Sequence, residues 1–400
     1  MTVDVEDIQK FQGGGSWMKG AGAIGVLGTI AALAGVFTGG KEGAFSYLVG
    51  FTYWAGVAIA GLLWVMIFNA FHAKWMVVLR RPFETIASTL PLFALLVIPI
   101  LIAMKSGNLY VWTDIEANFK GEAAEIMHNK AGYLSPGFFI VRTVIYFALM
   151  VFLSQRFWGW STRQDATGDI QLTVSARRLS AGGLPFLALV VAFAAFDWIM
   201  SLSPLWFSTM FGVYYFGGAF LTCISLVSIL NSMARGKDNY GQLVTAEHSH
   251  NVGKLMFAFT CFWAYIGFSQ FMLIWIANLP EETPFFTLRM QDTWRPVSIL
   301  LIVTHFFIPF LSLLSRKLKR NPMHLRIAGF WLLAVNFLDL YWLIMPTLSP
   351  DKVIFPIWLI ASWVGMGGLG IAFALWRLRG HYAVPVRDPF LSVSLRYRQP

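Results

Sequence analysis

The sequence predicts an all-α integral membrane protein with ten transmembrane helices, and three observations predict it. Of 400 residues, 57% are hydrophobic and 12% are charged, where soluble chains carry about 25% charged residues. Apolar runs recur ten times, at roughly 17–38, 45–71, 84–104, 137–157, 182–203, 209–232, 253–276, 297–315, 326–347 and 354–376. Each is near the ~20 residues a helix needs to cross hydrocarbon, and none alternates in period two as barrel strands do. Finally, the basic residues fall on one side. The segments before run 1, between runs 2 and 3, 4 and 5, 6 and 7, 8 and 9, and after run 10, with the adjoining run ends, hold 22 of the 30 Lys and Arg. The opposite segments hold 7, and Arg142 lies inside a run. An excess of Lys and Arg marks the cytoplasmic side and places both termini there.

The elements follow in order. Residues 1–16 are polar, end in GGG, and read as a flexible cytoplasmic lead-in. Run 1 carries Lys19 and begins after sixteen residues, so ALAG at 32–35 is not expected to be a signal-peptide cleavage site. Gly20, Gly22, Gly25 and Gly28 in run 1 match Gly365, Gly367, Gly368 and Gly370 in run 10. Small residues at such spacing let helices pack closely, and these two are expected at the periphery. Runs 2–5 (45–203) and 6–9 (209–347) are expected to form two four-helix bundles. Their outer loops, 105–136 and 277–296, are long enough to dock a partner or lid the helix ends. A basic tail, 377–400, closes the chain. The net charge of +10 follows from this one-sided distribution and does not indicate nucleic acid. RKLKR at 316–320 and LRYR at 395–398 read as anchors to anionic lipid or protein.

Each expected bundle ends in a related pattern, DWIMSLSP at 197–204 and DLYWLIMPTLSP at 339–350, the second longer by four residues, about one helical turn. Charge inside hydrocarbon is costly and marks a partner or a function. Arg142, five residues into run 4, and Asp197, six from the end of run 5, fall about 8–9 Å deep from the outer surface at 1.5 Å per residue. They are expected to pair. His305 and Asp339 fall about 12 Å deep in runs 8 and 9 by the same rise and are also expected to pair, with the His able to change charge near neutral pH. Either pair could equally serve only to neutralise itself and fix helix register. On the inner side His72, Lys74, Arg80, Arg81 and Glu84 gather between runs 2 and 3, as a proton inlet or as a solvated interface. His72, Arg142, Asp197, His305 and Asp339 are the candidate proton relay. Asp197, Trp198, Trp206 and Phe207 are a candidate aromatic pocket with a proton acceptor.

Other chemistries lack their residues. His248 and His250 form an H-x-H, which does not share one helix face. Cys223 and Cys261 read as small core residues. No Cys set for an iron–sulfur cluster, no paired deep His for haem, and no phosphate-loop or dinucleotide fingerprint is present. No metal or redox cofactor is expected on this chain.

FDWIMSLSP and WFSTMFGVYYF within 196–216, GKLMFAFTCFWAYIGFSQFMLIWIANLPEE at 253–282, FSYLVGFTYW at 45–54 and YWLIMP at 341–346 together carry a family resemblance. The chain resembles the smaller of the two large membrane subunits of bacterial alternative complex III, a quinol:cytochrome c oxidoreductase, related to the membrane anchors of polysulfide and nitrite reductases. The resemblance implies two four-helix bundles with two outer helices, in the bacterial inner membrane. It implies as partners a sister quinol-binding membrane subunit, an iron–sulfur subunit, multihaem and monohaem cytochromes c, small membrane subunits and a cytochrome oxidase. Haem c and iron–sulfur clusters would sit on those partners in a respiratory or photosynthetic chain, with quinol the only cofactor this subunit could meet. Asp197 matches the family's Phe-Asp-Trp acid, but Ser203-Pro204-Leu205 stands where the family commonly has Glu-Pro-His, which leaves an outer proton exit there without its acid and His. The rival expectations are that this chain itself binds and oxidises quinol, with Asp197, Trp198, Trp206 and Phe207 as the quinone-binding residues, or that it is a proton-coupled secondary transporter, for which Pro91 and Pro99 in run 3 would be the helix breaks.

Overall fold

Ten helices long and apolar enough to cross a membrane run through the described residues. The structure is a computed structural model and describes residues 8–235, 239–291 and 293–398. Residues 1–7 of the lead-in, Asp292 of the second outer loop and residues 399–400 of the tail lie outside it. The helices are α1 (Gly15–Thr38), α2 (Gly40–Ala70), α3 (Lys74–Lys105), α4 (Pro136–Thr167), α5 (Ile170–Leu202), α6 (Phe211–Ala234), α7 (Ala246–Ala277), α8 (Trp294–Leu314), α9 (Pro322–Leu348) and α10 (Ile357–Leu378). This is a multi-pass all-α membrane protein.

Several helices outrun their apolar stretches at the basic end. The expected loop between runs 4 and 5 is mostly helix. Gly168 ends α4 in a left-handed turn (φ 67°), and the Asp169 side chain caps α5 by accepting from the Gln171 amide. Only a short turn is needed because polar, Arg-bearing helix can continue in the headgroup region. Similar local chemistry starts α7 and α9. Thr245 and His248 form a capping box, and the Asn321 side chain accepts from the Met323 and His324 amides. His248 is thereby spent on structure, its Nε2 lying 3.1 Å from the Ser394 carbonyl.

α2 is the central helix, with 89% of its apolar window buried against 28% for α1. It packs on α3, α4 and α5, on α6 and α9, and on α1 and α10. Within 2–5, α4 also packs on α3 and α5. Within 6–9, α6 packs on α7 and α9, and α8 on α7 and α9. α3 is broken after Ala87 and Leu96, where Pro91 and Pro99 each open a new helical segment. The Tyr47 hydroxyl donates to the Leu96 carbonyl at the second break. α1 lies on α10 by glycine contact. A Cβ on Gly365 would meet the Thr29 amide at 2.4 Å, and one on Gly25 the Leu369 amide at 2.4 Å.

The described part of the lead-in, from residue 8, is not free. Phe11 and the tail exchange backbone hydrogen bonds, Phe11 N–H to His381 O at 2.8 Å and Gly380 N–H to Phe11 O at 2.9 Å, and Ile8 is buried. Composition suggests flexibility because the partner segment lies some 370 residues away. The tail also folds back across the basic end, burying Val384, Leu391 and Ser394. At the far end, residues 115–118 and 122–130 of the first loop and 284–290 of the second are short helices.

Gly365→Ala is expected to cost about 1–3 kcal/mol by forcing α1 from α10, read as a lower melting temperature in detergent. Gly370→Ala, whose Cβ would meet nothing nearer than 3.8 Å, is expected to melt like the unaltered protein.

Candidate functional site

Asp197 has no exposed surface, and its carboxylate is fully engaged. Arg142 on α4 grips it with two parallel bonds, Nε to Oδ2 at 2.8 Å and Nη2 to Oδ1 at 2.9 Å. The Tyr146 hydroxyl, one turn along α4, donates to Oδ2 at 2.7 Å. The remaining face of the guanidinium is closed. Nη1 donates to the Tyr133 carbonyl at 2.9 Å, and the Tyr133 and Phe138 rings lie 3.8 and 4.4 Å from it. The expected Arg142–Asp197 pair is therefore present, with fork-to-fork geometry that suits a charge pair away from water.

The aromatic residues expected beside Asp197 are dispersed. Trp198 is fully buried, stacked on Phe147 at 5.7 Å and edge-on to Phe51 at 5.3 Å. Trp206 stacks on Phe285 at 3.9 Å. Phe207 is exposed, with Lys130 Nζ 5.7 Å from its ring. Neither Asp197 nor Trp198 offers surface to a ligand in this arrangement, so the four do not form an open slot. Lys130 donates to the Pro204 carbonyl at 2.8 Å, and burial lowers its pKa.

The second bundle is built differently. Asp339, also buried, accepts from the Tyr214 hydroxyl of α6 at 2.5 Å and from the Trp263 indole of α7 at 3.1 Å. Among the described residues no cation forms an ion pair with it. The expected direct His305–Asp339 bond is not made. Trp263 takes its place, giving its N–H to the carboxylate and its ring to His305 at 3.8 Å between centroids. His305 lies in a π-helical segment of α8, Val303–Phe307, which widens the turn and shifts the register of its side chains. The imidazole has no exposure, and neither ring nitrogen has a hydrogen-bond partner among the described residues. Asn336, one turn before Asp339, leaves its Oδ1 unpartnered as well. A Cβ on Gly218 would lie 2.8 Å from that oxygen and 3.6 Å from Asp339 Oδ2, so glycine lets these two polar side chains pack against α6.

Arg289 was not singled out by its sequence, because it lies in an outer loop. It is wholly buried and donates to the carbonyls of Phe285 (2.8 Å), Trp342 (3.1 Å) and Leu343 (2.7 Å). Pro346 has no N–H to give the Trp342 carbonyl four residues back, and Arg289 supplies one. Burial pulls its pKa down to about 9.

At the basic end Arg80, Arg81 and Glu84 of the expected cluster form an ion-pair network. Arg80 bonds Glu84 at 2.8 Å and Asp388 of the tail at 2.7 Å, and Arg81 bonds Asp165 of α4 at 2.5 Å. Asp165 and Asp388 were missed, since they stand 84 and 308 residues from their partners. Two small cavities flank Arg80. Both are lined by Asn69 and Thr173, one also by His72, Lys74 and Asp388, the other by Glu84 and Gln164. His72 is exposed at the end of α2 with φ 53°. The five relay candidates thus occupy three separate places and do not form one hydrogen-bonded chain. No protein-family model matches the chain, and no curated protein matches it.

Arg142→Ala leaves Asp197 buried without its cation and is expected to destabilise the protein by about 3–5 kcal/mol. Thermal unfolding in detergent should show this loss.

Proposed function

We propose that this chain is a membrane subunit of a quinol:cytochrome c oxidoreductase of the alternative complex III type, which scaffolds the membrane arm and conducts protons coupled to quinol oxidation. The assignment to that complex is supported by the sequence blocks at 196–216 and 253–282. The observation that carries the proton role is the contrast between the two acids. Asp197 is clamped by a guanidinium. Asp339 is held only by a hydroxyl and an indole, beside a buried imidazole with no hydrogen-bond partner. A buried carboxyl group without a cation can be neutral or charged according to whether it carries a proton, and His305, across the Trp263 ring from it, is a group of the type able to exchange one.

In this reading Asp339, with Tyr214, Trp263, His305 and Asn336, is the exchanging cluster. Arg142 and Asp197 lock the other bundle. His72 stands at the cytoplasmic mouth, with both termini on that side. Quinol is oxidised mainly on the sister subunit. Electrons pass through an iron–sulfur protein to haem c on partner cytochromes, so this chain carries no redox centre. With Ser203 and Leu205 replacing the acid and His found in related subunits, protons leave the outer end by another route.

Purification in mild detergent is expected to bring down haem c, seen in a reduced-minus-oxidised spectrum, with iron–sulfur and sister membrane subunits identified by mass spectrometry. A colourless solitary chain would refute membership of the complex. In the intact complex in liposomes, Asp339→Asn is expected to reduce protons moved per electron at least several-fold while quinol oxidation persists. Unchanged coupling would remove Asp339 from the relay.

A further inference from the structure

The larger flank of Arg80 contains a feature that the proton reading does not use. Its cavity is lined by three permanent cations, Lys74, Arg80 and Arg177, and by one acid, Asp388. That acid is already bonded to Arg80 at 2.7 Å. Lys74, at the start of α3, and Arg177, two turns into α5, form no ion pair among the described residues. Both are nonetheless held at one aromatic ring. Lys74 Nζ and the Arg177 guanidinium carbon each lie 5.0 Å from the centroid of Phe390. The two charges are therefore no more than about 10 Å apart, a separation at which like charges repel unless screened. Asn69 and Thr173 add polar groups to the lining, and His72 adds an imidazole at its edge.

The height of this cavity in the bilayer narrows the ligand. Lys74 follows the end of the second apolar run at 71 by three residues, and Arg177 precedes the fifth run at 182 by five. Those positions lie just beyond the hydrocarbon, at headgroup level. We propose that the cavity is a binding site for a phosphate group, with Lys74 and Arg177 as its cationic arms and Phe390 of the tail as the platform that sets them. At that depth the phosphate belongs to an anionic phospholipid of the adjoining leaflet. Arg supplies a flat two-donor fork and Lys a mobile point charge, a combination suited to a phosphate diester. Because Asp388 and Phe390 both come from the tail, the bound headgroup would also hold the tail against the helix ends.

The test uses the full chain purified in neutral detergent and titrated with dioleoyl phosphatidylglycerol or dioleoyl phosphatidylcholine, with retained lipid read by native mass spectrometry. The unaltered protein is expected to hold one phosphatidylglycerol in preference to phosphatidylcholine. Lys74→Gln with Arg177→Gln should weaken that binding by about thirty-fold, from roughly 1 kcal/mol for each cation near an anionic headgroup. Lys74→Arg with Arg177→Lys should retain most of it. Equal binding to the unaltered and doubly neutralised proteins overturns the site. So does an equal loss from Lys254→Gln with Arg316→Gln, which removes the same charge elsewhere on the basic face. Displacement of the lipid by excess inorganic phosphate, sensitive to the same double substitution, would keep the phosphate site but make its ligand soluble. Should the double variant fail to fold, Phe390→Leu releases both cations together and is expected to weaken binding several-fold. Unchanged binding in that variant overturns the proposal.

Discussion

Hydrocarbon offers no hydrogen bonds, so a polar group placed within it is costly unless another group answers it. The fold follows from that constraint at every scale. α2, buried along nearly all its length, serves as the common wall of two helix sets and can be almost wholly apolar. Where α3 is interrupted at Pro99, a tyrosine hydroxyl from α2 reaches a freed carbonyl. Where Pro346 deprives α9 of an N–H, a loop arginine enters to donate. α1 and α10 approach so closely that several of their contacts are backbone to backbone.

The same constraint gives the two halves different chemistry. In the first, the buried acid meets its counter-ion and a tyrosine on one neighbouring helix, so charge and register are settled together. In the second, the acid meets only neutral donors, drawn from two helices, and a π-segment sets an unbonded histidine against one of them. Buried polar groups left without partners are costly. Near Asp339 both ring nitrogens of His305 and the Oδ1 of Asn336 are without partners among the described residues. Arg289 adds a wholly buried guanidinium near the outer ends of α8 and α9, held by carbonyls alone.

At the basic end, the tail and lead-in form a seam that ties both chain ends to the helices. Asp388 joins Arg80 to a residue over three hundred positions away, and Ser394 bridges the Val78 amide and the Trp75 carbonyl. From composition alone the lead-in reads as flexible and the end of the basic tail as a surface anchor. Within the described residues Ile8, Val384 and Leu391 are instead buried, which no local pattern displays.

The sequence by itself determined the number of spanning helices and the depth of their charges. Both depend on local quantities, the length of an apolar run and the rise per residue. That is why Arg142 and Asp197 could be matched before any contact was known. Only the tertiary structure decided which side chains stand between elements of equal depth. His305 and Asp339 were equally well matched in depth, yet helix rotation and the π-turn place Trp263 between them. Depth along a helix is set by counting residues, whereas direction around it is set by packing against neighbours. For the same reason Tyr146, Tyr214, Asp165, Asp388 and Arg289 were not legible beforehand, since each acquires its role from a partner on another element.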